Sequence, residues 1–368
     1  MFKKISLLFF SLILSLVIVE FCLKFLGRYN HLTTNNLKPS QAIYERAHSS
    51  IQNHRHPDIN HTIVNFFDKS GVKNFDQIDT SEKKNIIGIF GDSFVENIAI
   101  DKDFEYSQLL NERTDNFKIV NYGIGGYSAD QVFIRYLRYK DHEIKHVFFL
   151  LMPGDQGFST KSIFKNDGEY KIDAPKLNNF YHLLGKLNLT YLFIDIYYYL
   201  KSKISKNYTL TNLNNYNSIL ANKIYEKFYH PDLKHCKENF KSQKEFLNDN
   251  CAKNLINLLH IFRNKVVENG SKFYILVYPN LKHIDYFNRI INEEKNDFNF
   301  YILNKDLEFG TIFNNRKINF KNDAHWNEYG NVVLAENMLE IFDEIGIKTN
   351  SLNVDKLFNK IDKFYKAN

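Results

Sequence analysis

The sequence predicts an α/β protein with a parallel sheet covered by helices on both faces. Two observations predict it: short apolar runs alternate with helix-period stretches, and each run is followed by turn residues. The runs span 86–90, 118–122, 146–152 and 273–278, the length of strands buried on both sides. Helical patterns lie between them at 104–111 and 130–139, and return at 252–269 and 332–345. Residues 60–67 add an expected edge strand ahead of the first run.

The chain has 368 residues, 44% of them hydrophobic and 24% charged, which suffices for one large domain with a real core. Its formal net charge of +6 is spread along the whole length. No dense basic block tracks phosphates, so nucleic acid is not an expected partner.

Lys3 and Lys4 precede an apolar run over 5–19 that continues past Glu20 to Leu26. A positive flank before such a run reads as an export signal. No small-residue cleavage site follows, and Val19, Glu20 and Phe21 are too bulky or charged for a lipoprotein site before Cys22. Residues 1–27 are therefore expected to be an uncleaved transmembrane signal anchor, placing the remainder on the extracytoplasmic side of a membrane. Residues 28–60, polar and rich in His and Asn, read as a stalk. The main domain is expected over 61–350, with a mostly helical insertion at about 160–255 and a tail at 351–368. Within the insertion, 191–200 reads either as an amphipathic helix or as a buried hairpin, and its tyrosines either fill a cap or stack on sugar rings. Cys236 and Cys251 either form a small disulfide loop or remain free thiols. Neither belongs to a Cys/His cluster, so no metal site is expected.

Three segments carry chemistry. Gly91-Asp92-Ser93-Phe94 directly follows the first strand. This places Ser93 at the carboxyl edge of a parallel sheet, where open α/β folds bind ligands. A helix starting there aims backbone N–H groups into the cleft, which suits an oxyanion. Asp323-Ala324-His325-Trp326-Asn327 lies near the C-terminus. A neutral His325 takes a proton from a serine hydroxyl, and a nearby carboxylate fixes its tautomer. Asp323 is the closest acid in sequence. The glycine-rich segment 121–128 follows the second strand, and its glycines let the backbone approach a ligand closely. Its spacing is not that of a dinucleotide loop.

In this order and spacing the three segments resemble the SGNH (GDSL-type) hydrolase superfamily, over about 86–345 with the insertion set aside. The resemblance implies a three-layer, flavodoxin-like α/β/α sandwich that needs no metal or organic cofactor. It implies Ser93 as nucleophile, His325 as general base and Asp323 as its orienting acid. Backbone N–H groups of Ser93 and Gly126 would form the oxyanion hole, with Asp92 supporting the nucleophile turn. After the third strand the family places Gly-x-Asn-Asp, where this chain reads Met152-Pro153-Gly154-Asp155-Gln156. Asp155 matches the acid, but Gly154 stands in the Asn position. Loss of that amide would cost about 3–4 kcal/mol of transition-state stabilisation unless Gln156, Asn97 or a backbone N–H replaces it. The expected activity is hydrolysis of a small acyl ester, such as an O-acetyl group on an envelope polysaccharide. An O-acyltransferase and a catalytically weak glycan-binding relative are the alternatives.

Overall fold

In the computed structural model of the chain, the described residues are 2–25, 85–152, 250–279 and 294–367 apart from 322. Strands 37–40, 43–46 and 50–54, most of 56–73, and residues 187, 189, 192, 193, 196, 291 and 292 are also described. The chain divides into two compact units, one of residues 1–40, 44–47 and 175–231, the other of 41–43, 48–174 and 232–368.

The first unit contains helix α1 (Phe2–Phe25). Its apolar side chains are exposed around the helix, Phe9 at 64% and Phe25 at 84%. Leu23 packs against Leu189 and Leu192, and the Glu20 carboxylate accepts the Leu189 N–H at 2.7 Å. Among the described residues no helix is long and apolar enough to cross a membrane. Short strands β1 (Leu37–Ser40) and β2 (Ile43–Arg46) form a two-stranded sheet of their own.

The second unit opens with β3 (Ser50–His54) and β4 (Ile63–Phe67), which pair antiparallel. Then follow β5 (Asn85–Phe90), the single-turn helix α2 (Ser93–Glu96), α3 (Tyr106–Asn111), β6 (Phe117–Asn121), α4 (Ala129–Tyr139) and β7 (Ile144–Leu151). After the insertion come α5 (Asn250–Glu268), β8 (Lys272–Val277), β9 (Asn299–Ile302), the small hairpin β10 (Ile312–Phe313) and β11 (Arg316–Lys317), α6 (Glu328–Glu344) and α7 (Val354–Ala367). Five strands form one parallel sheet in the order β6-β5-β7-β8-β9.

Alternation along the strands sends successive side chains to opposite faces. Ile87, Ile89, Phe148, Leu150, Tyr274 and Leu276 share a core with α3 and α6. Phe149 and Phe273 point the other way, to Phe262 of α5 at ring distances of 5.8 and 4.7 Å. Phe262 also meets Phe133 and Tyr136 of α4 at 5.3 and 5.1 Å. Helices thus cover both faces, and the expected α/β class with a parallel sheet is what the chain forms.

The four expected strands lie within two residues of their predicted bounds; β9 was not expected. It is short, its middle residues are half-buried and its end residues exposed, so it lacks the continuous apolar run of the others. Three boundaries need correction. The end of the expected stalk is part of the body, because β3 pairs with β4 and His56 is buried at 7% exposure. The expected edge strand exists as β4, but it pairs with β3 and, among the described residues, reaches the main sheet through Lys73, which bridges both Phe67 and Asn121. The expected C-terminal tail is helix α7, which buries Phe358 and Ile361 in the same core as α6. Most of the expected insertion, including most of 191–200, lies outside the described residues, as do Cys236 and the side chain of Cys251, for which either a disulfide or free thiols were expected; Cys22 is an exposed free thiol.

Phe262 is fully buried at the centre of four aromatic rings. Phe262→Ala should therefore lower stability by about 3–5 kcal/mol, read as a lower urea midpoint at unchanged slope.

Candidate active site

Strand β5 ends at Phe90, and the chain turns through Gly91 and Asp92 into α2. Asp92 is the N-cap: its carboxylate accepts the Phe94 N–H at 2.9 Å. One turn is too short to hold itself, so tertiary contacts fix its far end. The Asn97 backbone is left-handed (φ 50°), and its side-chain amide donates to the Phe94 carbonyl at 2.9 Å. Buried Lys73 donates to the Glu96 and Asn97 carbonyls at 3.1 and 2.7 Å. Asn121, at the end of β6, donates to the Val95 carbonyl at 2.6 Å and to the Glu105 carboxylate at 3.0 Å.

The glycine loop lies directly against this turn. Ile124 N–H donates to the Gly91 carbonyl at 3.1 Å, and Gly125 N–H donates to the Glu96 carboxylate at 2.7 Å. A Cβ on Gly123 would sit 2.4 Å from the Glu96 backbone nitrogen, so the two loops approach as closely as backbone allows. Gly126 has φ +80° and stands exposed at the rim. As the first residue of a helix, Ser93 has an N–H with no intrahelical acceptor. Among the described residues neither the Ser93 nor the Gly126 N–H has a hydrogen-bond partner.

The second loop is anchored by its neighbours. Trp326 is fully buried and donates its indole N–H to the Leu307 carbonyl at 2.9 Å. Asn327 caps α6 by accepting the Gly330 N–H at 3.2 Å, and Asn319 donates to the Ala324 carbonyl at 2.8 Å. The Phe320 N–H donates to the His325 carbonyl at 3.1 Å. These bonds leave the His325 side chain facing α2.

His325 Nε2 lies 2.6 Å from Ser93 Oγ, and its Nδ1 lies 2.5 Å from an Asp323 oxygen. Asp323 also accepts the His325 backbone N–H at 3.1 Å. Its other carboxylate oxygen lies 3.3 Å from Nε2 of His56. Phe94 stacks on the His325 ring at 4.6 Å. With Nδ1 facing a carboxylate, the partners assign the proton to Nδ1 and leave Nε2 to accept from the serine hydroxyl.

Burial alone would raise the Asp323 pKa, but hydrogen bonds from His325 and His56 outweigh it and hold the carboxylate far below its ordinary range. Burial likewise disfavours charge on His325. The Asp323 hydrogen bond and the charges of Asp323, Asp92 and Glu96 together outweigh it and raise the imidazole above its ordinary value. Asp92 is pushed up to about 6, chiefly by burial of its carboxyl, with the Phe94 N–H and the nearby His325 opposing.

The structure brings together Ser93, His325 and Asp323, with Asp92 supporting the turn and Gly126 at its edge. Gly154, Asp155 and Gln156 lie outside the described residues. Asn97, considered as a substitute oxyanion donor, is buried and uses one N–H of its side-chain amide on the Phe94 carbonyl, inside the turn. Sequence reading missed Lys73, Glu96 and His56. Glu96 stands three residues after Ser93 and is 1% exposed, a buried acid in a signature segment. Lys73 and His56 act across 23 and 267 residues, a separation with no local signal.

Elsewhere among the described residues, His260, Glu294 and Asp297 place potential metal-ligating atoms within 4.8 Å of one another, and a 2.9 Å hydrogen bond to Glu294 already engages His260 Nε2. An open polar hollow lined by Arg113, Asn350, Lys356 and Lys360 shares no residue with the Ser93 cluster. Compared with protein-family models and with curated proteins, the chain matches none.

Gly123→Ala must push α2 away from the glycine loop, because the obstructing atom is backbone rather than a movable side chain. The expected cost is about 1–3 kcal/mol, measured as a lower midpoint in thermal or urea unfolding.

Proposed function

We propose that the second unit is a serine ester hydrolase of the SGNH type, with Ser93 as nucleophile, His325 as general base and Asp323 as orienting acid. One observation carries this reading. A hydroxyl, an imidazole and a carboxylate stand in line at 2.6 and 2.5 Å, beside the carboxyl end of a parallel strand.

The reaction runs in two halves. Ser93 Oγ attacks the ester carbonyl carbon while His325 Nε2 takes its proton, and the carbonyl oxygen becomes an oxyanion. The unpartnered N–H groups of Ser93 and Gly126 are its donors. Collapse expels the alcohol, which leaves with the proton from Nε2, and the acyl group stays on Ser93. Water then attacks the acyl carbon while His325 Nε2 takes its proton; collapse breaks the bond to Ser93 Oγ, which takes that proton back from Nε2, and the acid departs. Through both halves Asp323 keeps Nδ1 protonated and opposes the charge that forms on the ring.

The substrate class we favour is a small acyl ester, an O-acetyl group on an envelope polysaccharide. The support is the sequence reading of an N-terminal signal anchor, which places the hydrolase on the extracytoplasmic side of a membrane. The exposed apolar side chains of α1, including Phe9, Phe10, Phe21 and Phe25, are what such an anchor presents to lipid.

p-Nitrophenyl acetate tests the chemistry. Wild-type protein should release nitrophenol, and Ser93→Ala should release none above buffer. The base must be neutral, and its pKa is raised. Activity should therefore rise with pH about a midpoint above the ordinary histidine value of about 6.5. Asp323→Asn should move that midpoint down and reduce kcat by about 10⁴-fold. Equal rates for wild type and Ser93→Ala at every pH would overturn the assignment.

A further inference from the structure

We propose that His56 is a positioning residue of the same site, a fourth member of the hydrogen-bonded line that fixes Asp323 from behind; this rests on the serine hydrolase reading. His56 lies between β3 and β4, outside the α/β core, yet it is buried and its Nε2 is 3.3 Å from the Asp323 oxygen that His325 does not use. Its tautomer follows from its other nitrogen. Nδ1 accepts the Asp58 backbone N–H at 3.2 Å, so it carries no proton and Nε2 is the donor. The ring itself is held flat against Phe320 at 4.0 Å, and the Phe320 N–H is bonded to the His325 carbonyl.

Asp323 has two side-chain donors, His325 on one oxygen and His56 on the other. A carboxylate held by one donor alone turns about its own axis. Held at both oxygens, it presents a fixed edge to His325 Nδ1. The bond from His56 also draws off part of the carboxylate charge that would otherwise act on the imidazole. His56 thus sets both the angle of the base and how tightly it holds its proton.

The test uses the full chain and a serine-directed fluorophosphonate, with the labelling rate followed across pH. His56→Phe keeps the stacked ring and removes the donor, whereas His56→Gln restores an N–H. Labelling of His56→Phe should slow about tenfold, the weight of one hydrogen bond to a charged group. Its pH midpoint should move up by about half a unit as the full Asp323 charge falls on His325. His56→Gln should recover most of the rate. A His56→Phe profile that superimposes on wild type overturns the inference and leaves the hydrolase reading standing. A wild type that resists the label, or a Ser93→Ala variant that takes it up equally, overturns both. A measurement on the unaltered protein guards against a variant that fails to fold. Nitrogen-15 NMR should find the His56 proton on Nε2, and finding it on Nδ1 would overturn the inference.

Discussion

Asp323 and His325, two residues apart on one loop, are joined by a 2.5 Å hydrogen bond, and that bond decides which imidazole nitrogen faces Ser93. An imidazole with its proton on Nε2 would offer the serine a second donor and no base. Much of the surrounding structure keeps this one bond aligned. Trp326 is buried under the loop, Asn319 and Asn327 tie its backbone down, and the Asp323 carboxylate sits where burial cost is more than met by donors.

Ser93 is held by the opposite strategy. Four residues make a helix too short to persist alone, so its shape is borrowed from outside. Asp92 caps one end, Lys73 and Asn97 close the other, and Asn121 supports the middle from a neighbouring strand. Glu96 occupies a harder position. Its buried carboxylate binds the Gly125 N–H and helps raise the His325 pKa. The same acid that braces the glycine loop therefore makes the His325 imidazole hold its proton more firmly.

The parallel sheet was legible because strands buried on both faces are apolar at most positions, and the four runs 86–90, 118–122, 146–152 and 273–278 share that character and are each followed by turn residues. The edge strand Asn299–Ile302 was not, since one open side relaxes the demand. Ser93, His325 and Asp323 were legible through local spacing, each beside the turn or cap that positions it. Lys73 and His56 were illegible for a physical reason. Each acts through one hydrogen-bonding group aimed at a distant loop, and no periodicity marks such a residue. The same gap explains why the stalk was drawn too long and the last helix was read as a tail. Both segments are polar on average, and each contributes only a few buried side chains such as Ile59, Phe358 and Ile361.

The body is closed by its own two ends. His61, just before β4, meets Phe364 of α7 edge to face at 4.8 Å, and Tyr365 on that helix donates to Glu328 at the start of α6. Ser93 and the imidazole it meets stand 232 residues apart in the chain, so the hydroxyl is without this neighbour until the two loops have folded against each other.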